Sequence, residues 1–403
     1  MPILRNISQL ATCPSDHPQQ DAGLIRNAAL AWSGDTINWV GAWQDLPSEF
    51  AAEPVIDCEH RLVVPGLIDC HTHLCFGGWR GDEFEMRLKG ASYQEIAASG
   101  GGISSTVTAT RAASAGTLRR KANAQLDAML KLGVTTVECK SGYGLDTANE
   151  LKLLEVYRQL NESHPVDLVP TFLGAHIVPA EHRKTRDQYV SLLCEELIPA
   201  IASEGLAQFC DAFVEEGAFT IAEARQIFTT AAAHGLQIKI HADQLSDGGG
   251  ALLAAEMGAV SAEHLEYISF EGIKALANSG TVAVSLPLAS LYLGEPFIPA
   301  RKLLSAGVPV AVATDFNPGS APSYHLPLAM TLACLSQHMT PQEVLQGVTS
   351  VAARAISCET RIGSLLPGYR ADLAIIDMPS LNQWLYHFVP NACIKVMKNG
   401  HWI

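Results

Sequence analysis

Apolar and polar positions follow two different rhythms along the chain, and the change comes near residue 62. Residues 1–62 carry short apolar patches broken by turns, such as the patches at 28–32 and 37–41 on either side of a Gly-containing turn. A short strand, such a turn and a second short strand predict a β-hairpin. Beyond residue 62, apolar strand-like runs alternate with longer helix-like runs, which is typical of repeated βα units.

Eight such units lie between residues 63 and 357. The predicted strands are near 62–74, 134–140, 166–176, 207–215, 236–244, 259–267, 281–289 and 308–316, and the helical candidates between them include 118–132, 149–160, 189–203 and 221–234. Six of the strands follow a glycine, as expected for a helix C-cap. Eight parallel strands, each followed by a helix, predict an α/β fold of the closed (β/α)8 TIM-barrel type. A doubly wound open sheet is the alternative, but no Gly-x-Gly-x-x-Gly opens a helix after a strand.

The rhythm of short strands and turns returns after residue 357, where residues 371–377 and 394–400 predict strands. Because the two ends look alike, we expect one small β-sandwich domain formed by residues 1–62 and 358–403. The barrel of residues 63–357 is then inserted between its two halves. The Gly-rich stretch 99–105 is typical of a mobile loop.

Composition narrows the class of protein. Hydrophobic residues make up 48% of the chain and charged residues 17%, which is enough for a large core. The net charge of −14, without a block of like charges, argues against nucleic acid or an acidic membrane surface as a partner. The first twenty residues lack the apolar core of a signal peptide or a membrane span. Ten scattered cysteines without a Cys-x-x-Cys predict reduced thiols in a cytoplasmic protein.

The most informative motif is His71-Thr72-His73, at the end of the apolar run 63–68. Side chains two apart on a strand share a face and lie roughly 7 Å apart. Two imidazoles so placed can converge on one ion, at about 2.0–2.1 Å per Zn–N bond. The structural alternative is two polar residues in a turn after a strand.

Polar side chains also follow other predicted strands, and barrel enzymes carry their chemistry at these strand ends. His176, His241, His264 and Asp315 follow strands three, five, six and eight. Taken singly, each has a structural explanation, such as a hydrogen-bonded core histidine or a turn cap. Their convergence on one rim is what predicts a site. Two lysines are not excluded from this pocket, since Lys140 follows strand two and Lys239 shares a face with His241.

These residues resemble the amidohydrolase superfamily over nearly the whole chain. The general signature is residues 65–69 before His71 and His73, single histidines after strands five and six, Asp315 after strand eight, and the terminal segment 363–372. More specific segments are 76–90, 140–145, 172–176 and 315–320. They resemble those of a member that hydrolyses the cyclic amide of a small anionic heterocycle bearing a propionate.

The resemblance implies one divalent metal ion, Zn or Fe. Its ligands would be His71, His73, His241 and Asp315, a set that suits either metal. Binuclear members of the superfamily bridge two ions with a carboxylated lysine on strand four. The corresponding run here, 208–214, has no lysine, so we expect a single ion.

The resemblance also implies roles for residues around the metal. Asp315 would take a proton from water and pass it to the leaving ring nitrogen, His264 would bind the ring carbonyl, and His176 would contact the ring or share the proton transfer. Arg80 would bind the propionate of the substrate. The remaining substrate contacts would come from Tyr143, Gln244, Asn317, Gly319 and Ser320.

Gln244 departs from the pattern, because some members of the superfamily carry Glu at this place. An amide cannot act as a general acid or base. We therefore expect Gln244 to orient the ring through hydrogen bonds only.

Two alternatives remain at this stage. One is a mononuclear deaminase or cyclic amidase of the same fold acting on a neutral heterocycle such as guanine or cytosine, which would not need Arg80. The other is a metal-binding or assembly protein without catalysis. A homodimer is expected for either enzyme, because dimers are common among soluble enzymes.

Overall fold

The computed structural model describes residues 1–50, 52–90 and 100–403. The strands are β1 (Ile3–Ala11), β2 (Leu24–Ser33), β3 (Thr36–Ala42), β4 (Val55–Asp57), β5 (Leu62–Pro65), β6 (Leu67–Asp69), β7 (Val134–Lys140), β8 (Asp167–Ala175), β9 (Phe209–Val214), β10 (Gln237–Ala242), β11 (Ser261–His264), β12 (Val282–Ser285), β13 (Val310–Val312), β14 (Leu373–Ile376), β15 (Cys393–Lys398) and β16 (His401–Trp402).

Helices alternate with the strands of the central part of the chain. The α-helices are Gly81–Leu88, Ile103–Ala112, Ala115–Lys131, Thr147–Ser163, Arg186–Leu192, Ile198–Glu204, Ile221–Ala233, Gly250–Glu256, Phe270–Ser279, Pro287–Leu293, Ala300–Ser305, Leu326–Gln337, Pro341–Gly347, Ser350–Ala355 and Leu381–Tyr386. A π-helical turn, Leu193–Leu197, joins two of them. In the described ranges, no helix combines the length and the apolar character needed to cross a membrane.

Strands β6 to β13 form the predicted barrel. Neighbouring strands pair in parallel and in chain order from β6 to β13. The ends close on each other just beyond the last strand, where Asp315 N–H donates to His71 O (3.1 Å) and His73 N–H donates to Phe316 O (2.9 Å). The barrel prediction is confirmed and the open-sheet alternative is wrong. Closure places the predicted ligands of strands one and eight side by side.

Glycines end several of the barrel helices as the sequence predicts. Gly205 and Gly280 are C-cap residues in the left-handed region, with φ of 61° and 76°. This conformation costs glycine little, because it has no Cβ. The glycines therefore mark the points at which the chain turns into the next strand.

Both chain ends form one mixed sheet, with the order β16-β15-β14-β5-β1-β2-β3 and with β4 paired to β1. It has an apolar core of its own that includes Leu4, Leu30 and Leu373. The sequence assigned residues 63–65 to the barrel, but β5 pairs with β1 and β14 in the terminal sheet. The predicted single strand near 62–74 is thus two strands, divided at Gly66. The domain boundaries at 62/63 and 357/358 stay predictions.

The Gly-rich stretch 99–105 falls partly outside the described residues, since Ser99 is not among them. Its last residues, from Ile103, open the helix Ile103–Ala112 rather than a loop. Gly102 precedes that helix with φ of 75°, and its N–H donates to the buried Glu83 carboxylate (2.9 Å). The segment thereby contacts the helix that follows Arg80.

Candidate active site

Two histidines and one aspartate meet where the barrel closes. Asp315 Oδ1 lies 3.3 Å from His71 Nε2 and 3.4 Å from His73 Nε2. All three side chains are buried. His71 and His73 follow β6, and Asp315 follows β13, so the backbone hydrogen bonds of closure set their spacing.

Two further histidines complete the group. The His241 ring centroid lies 4.7 Å from that of His71 and 5.4 Å from that of His264. Ligand atoms of His71, His241 and His264 lie within 4.8 Å of one another, as do those of His71, His73 and Asp315. Within the described ranges, Nε2 of His241 has no hydrogen-bond partner although it is buried. An unpartnered buried nitrogen is costly unless an ion or water meets it.

Below the histidines lies a layer of buried charges, of which the sequence reasoning named the two lysines but missed the carboxylates. Lys140 Nζ lies 2.8 Å from Glu138 Oε1, 2.9 Å from Asp211 Oδ2 and 2.8 Å from Glu263 Oε2. Lys239 Nζ contacts the other oxygen of Glu263 at 2.8 Å. A carboxylate inside a strand of the predicted barrel was the available signal, since β7, β9 and β11 are fully or largely buried and each carries one.

The carboxylates of this layer orient the histidines above them. Glu263 Oε2 lies 2.5 Å from His71 Nδ1, and Asp211 Oδ2 lies 3.0 Å from His241 Nδ1. A carboxylate that accepts the Nδ1 proton leaves Nε2 as the ligand atom and fixes the ring. Nε2 of His71 then lies beside Asp315, and Nε2 of His241 is left without a partner among the described residues.

Electrostatics favour a cation in this region. Burial disfavours charge on His71, but Glu263 and Asp315 outweigh burial and raise its pKa to about 9. Burial would also raise the pKa of Asp315, yet His71 and His73 hold it well below its usual value. Four buried carboxylates, Asp315 and the three around Lys140, face two buried ammonium groups. The donor set and the excess of negative charge fit one divalent metal ion.

A cavity of about 820 Å³ opens above this group at the carboxyl ends of the strands. It brings together all of the predicted substrate residues: Arg80, Tyr143, His176, Gln244, Asn317, Gly319 and Ser320. The predicted ligands His73, His241 and Asp315, together with His264, also line it. Two carboxylates that we did not predict, Glu215 and Glu216, are part of the wall.

Arg80 is the residue before the helix Gly81–Leu88 and is held by that helix. Its Nε and Nη2 donate to Glu83 Oε2 at 2.8 Å and 2.6 Å. Gly319 lies against the guanidinium, because a Cβ built there would meet Arg80 Nη1 at 2.3 Å. The helix and the loop after β13 thus set the position of this cation in the cavity.

Asn317 lines the cavity and also makes hydrogen bonds within its own loop. Its Nδ2 donates to Asp315 O (2.7 Å) and Ser320 Oγ (2.9 Å), while its Oδ1 accepts from the N–H groups of Gly319 (2.7 Å) and Ser320 (2.8 Å). The amide therefore stabilises the loop that carries Asp315. Asp315 itself has φ of 55°, a strained conformation that this loop must maintain.

His176 and Tyr143 form one wall of the cavity. Their ring centroids are 5.4 Å apart, and His176 Nδ1 lies 3.0 Å from Gly142 O. Donation to this carbonyl leaves Nε2 as an acceptor. Burial lowers the pKa of His176 to about 4, so the ring is neutral at pH 7. Gln244 lies across the cavity, beside Leu245, whose N–H donates to Glu215.

Comparison with known proteins identifies the class. The model described as the amidohydrolase family matches residues 62–403. In fold, the chain is similar to atrazine chlorohydrolase from Arthrobacter aurescens complexed with zinc (TM-score 0.70, 17% identity, covering 100% of this chain and 95% of that one). It is also similar to guanine deaminase from C. acetobutylicum (TM-score 0.71, 15% identity, covering 100% and 99%). The chain is therefore a member of the amidohydrolase family.

Relatives of higher sequence identity define the subgroup within this family. Imidazolonepropionase from Alkaliphilus metalliredigens is 45% identical over 99% of this chain and 96% of that protein. Imidazolonepropionase from Symbiobacterium thermophilum is 48% identical over 95% of this chain and 92% of that protein. Within the amidohydrolase family, the chain belongs with the imidazolonepropionases, which confirms the resemblance drawn from the sequence.

Proposed function

We propose that this protein hydrolyses the ring amide of 4-imidazolone-5-propanoate to give N-formimino-L-glutamate, the third step of L-histidine degradation. One observation carries the proposal: a single cavity combines a buried cluster of possible metal ligands, the histidines with Asp315, with an arginine in its wall. The first fits hydrolysis of an amide, and the second fits a substrate with a carboxylate. The relatives' names agree with this substrate.

We assign His71, His73, His241 and Asp315 as ligands of one Zn or Fe ion. When bound, such an ion acts as a Lewis acid that makes water a nucleophile near neutral pH. Barrel closure brings His71, His73 and Asp315 together, and His241 on β10 forms a second close group with His71 and His264. Glu263 and Asp211 keep His71 and His241 in the tautomer with Nε2 free.

Proton transfer falls to Asp315. It accepts a proton from the attacking water as the water oxygen bonds to the ring carbonyl carbon. It returns that proton to the ring nitrogen as the carbon–nitrogen bond breaks. His264 donates a hydrogen bond to the carbonyl oxygen, where negative charge develops. Neutral His176 presents Nε2 to the ring and is held in this orientation by Gly142 O.

Recognition of the propionate falls to Arg80. A charge-assisted hydrogen bond contributes about 1.5–3 kcal/mol, and the guanidinium is already positioned by Glu83. Tyr143 and Gln244 contact the ring. Gly319 and Ser320 line the same wall as Arg80, while Asn317 holds their loop in place.

The decisive experiment is steady-state kinetics on 4-imidazolone-5-propanoate, followed by loss of the ring's ultraviolet absorbance in metal-analysed protein. Arg80→Ala should lower kcat/KM about 10- to 150-fold, and added guanidinium ion should restore part of it. Arg225→Ala is the matched control, because Arg225 pairs with Glu256 on the outer helices. Unchanged kinetics in Arg80→Ala, with turnover of a neutral base such as guanine, would instead favour a deaminase.

A further inference from the structure

Lys140 places an ammonium group among three buried carboxylates, beneath the predicted metal ligands. Its contacts with Glu138, Asp211 and Glu263 all fall between 2.8 and 2.9 Å, and none of the four side chains has exposed surface. Asp211 and Glu263 are also the partners of His241 and His71. The lysine therefore touches both carboxylates that orient the predicted ligands.

The same carboxylates make up a second group able to hold a metal. Ligand atoms of Asp211, His241 and Glu263 lie within 4.8 Å of one another. The Lys140 ammonium already contacts two of these three residues. A divalent ion and an ammonium cannot share this space, because two cations so close in a buried region repel strongly.

We propose that Lys140 is a built-in cation that takes the place of a second metal ion and keeps the centre mononuclear. It neutralises Asp211 and Glu263 while leaving their oxygens in contact with the histidine rings. Lys140 is a positioning residue, since it reaches the predicted ligands only through those carboxylates. The inference rests on the proposed single-ion site.

The chemistry predicts which ion would enter if the ammonium were removed. Three carboxylate oxygens, from Glu138, Asp211 and Glu263, point at the position of Nζ. Carboxylate oxygen is a ligand that suits Mn²⁺, whereas the histidine-rich site above suits Zn²⁺. Mn²⁺ is therefore the probe, used on protein whose upper site holds zinc.

The test compares zinc-loaded wild type, Lys140→Met and Lys239→Met. Each is titrated with Mn²⁺, and bound metal is measured by elemental analysis and by the Mn²⁺ resonance spectrum. Lys140→Met should bind one Mn²⁺ beside its zinc, whereas wild type should bind none. Lys239→Met is the matched control, because Lys239 contacts Glu263 but neither Asp211 nor Glu138 and so leaves the Lys140 contacts in place.

If Lys140→Met does not fold, the double variant Glu138→Gln/Lys140→Met is used in its place. It keeps the net buried charge unchanged and leaves Asp211, His241 and Glu263 intact. One zinc and no Mn²⁺ in a folded variant would overturn the inference. So would a second tightly bound ion in wild type, whatever the variants do. Wild type that binds no zinc would instead contradict the proposed single-ion site, which separates the two failures.

Discussion

Asp315 and Gln244 occupy one cavity but carry different chemical capacities. Asp315 contacts His71 and His73 and can exchange a proton, whereas the Gln244 amide can only donate and accept hydrogen bonds. Any proton shuttle that a glutamate would perform at position 244 is therefore absent from this chain. The sequence alone allowed this inference, because it depends on residue type.

Asp315→Asn should lower kcat by about 10²- to 10⁴-fold, because the variant loses the group that moves the proton. Gln244→Glu should keep activity. Both are measured on 4-imidazolone-5-propanoate, with bound metal determined in each preparation so that loss of a ligand is distinguished from loss of the base. Full activity in Asp315→Asn would contradict the mechanism.

Gly319→Ala tests the position of Arg80. The new Cβ would lie 2.3 Å from Nη1 and 3.1 Å from Cζ of Arg80, so the guanidinium must move while the backbone can stay. We expect KM to rise on the order of tenfold with little loss of stability. Gly81→Ala is the control, since a Cβ there meets nothing within 4 Å. Equal KM values in the two variants would show that substrate binding does not depend on the position of the Arg80 guanidinium.

At the scale of elements, the loop after β13 has a structural role that the sequence did not indicate, because its side chains hold the backbone around Asp315 in place. The expectation that Asn317 contacts the substrate stays a prediction, since its side chain lines the cavity, and the same side chain also makes hydrogen bonds within residues 315–320. A sequence does not show that an asparagine stabilises its own turn, because that role depends on the position of the neighbouring backbone groups.

Asn317→Ala should lower the free energy of unfolding by about 1–3 kcal/mol, because two half-buried N–H groups and one buried carbonyl lose their partner. It should also lower metal occupancy, since the loop holds Asp315 at a φ of 55°. Asn317→Asp keeps both acceptor bonds and should be the milder change. Chemical denaturation and metal analysis measure the two effects, and wild-type values for Asn317→Ala would contradict this role.

At the scale of the whole molecule, an ion cluster joins the barrel to the terminal sheet. Asp167, at the start of β8, pairs with Lys398 (2.8 Å) and with Arg370. Asp372 completes the cluster through Lys398 (2.7 Å) and Arg370 (2.8 Å). The contact ties β8 to residues more than two hundred positions later in the chain.

Asp167→Asn should lower the free energy of unfolding at pH 7 by about 1 kcal/mol, a discounted value because the side chain is 35% exposed. Burial opposes ionisation of Asp167, but Lys398 and Arg370 outweigh it and hold the pKa below the usual 3.8. The contribution is therefore complete above about pH 4 and is lost as the pH falls through the folded pKa.

Denaturation of wild type and Asp167→Asn should accordingly differ at pH 7 and converge at low pH. Asp377→Asn is the control, because Asp377 forms an exposed pair with Arg61. A difference that persists unchanged to pH 2.5 would rule out the ionised pair as its source.

The homodimer expected from the sequence stays a prediction, which light scattering at several protein concentrations tests.

The sequence by itself determined the architecture and most of the cavity. Alternating apolar runs with glycines at helix ends predict eight βα units, because periodicity and backbone conformation are local properties. His71, His73, His241 and Asp315 were found because parallel strands bring their carboxyl ends to one edge. Residues that directly follow these strands therefore lie near one another in the barrel.

Only the tertiary structure decided which strands pair and which buried charges lie beside the histidines. It placed β5 in the terminal sheet, where β5 pairs with β14. Gly66, between β5 and β6, lies against Thr135, whose Oγ1 would be 2.3 Å from a Cβ at that position. It also showed that Lys140 and Glu263 lie beneath the histidines. The physical reason is the same in both cases: strand partners and buried charge pairs come from distant parts of the chain. A charged residue within a strand indicates that a partner exists, but the local sequence does not show which residue it is.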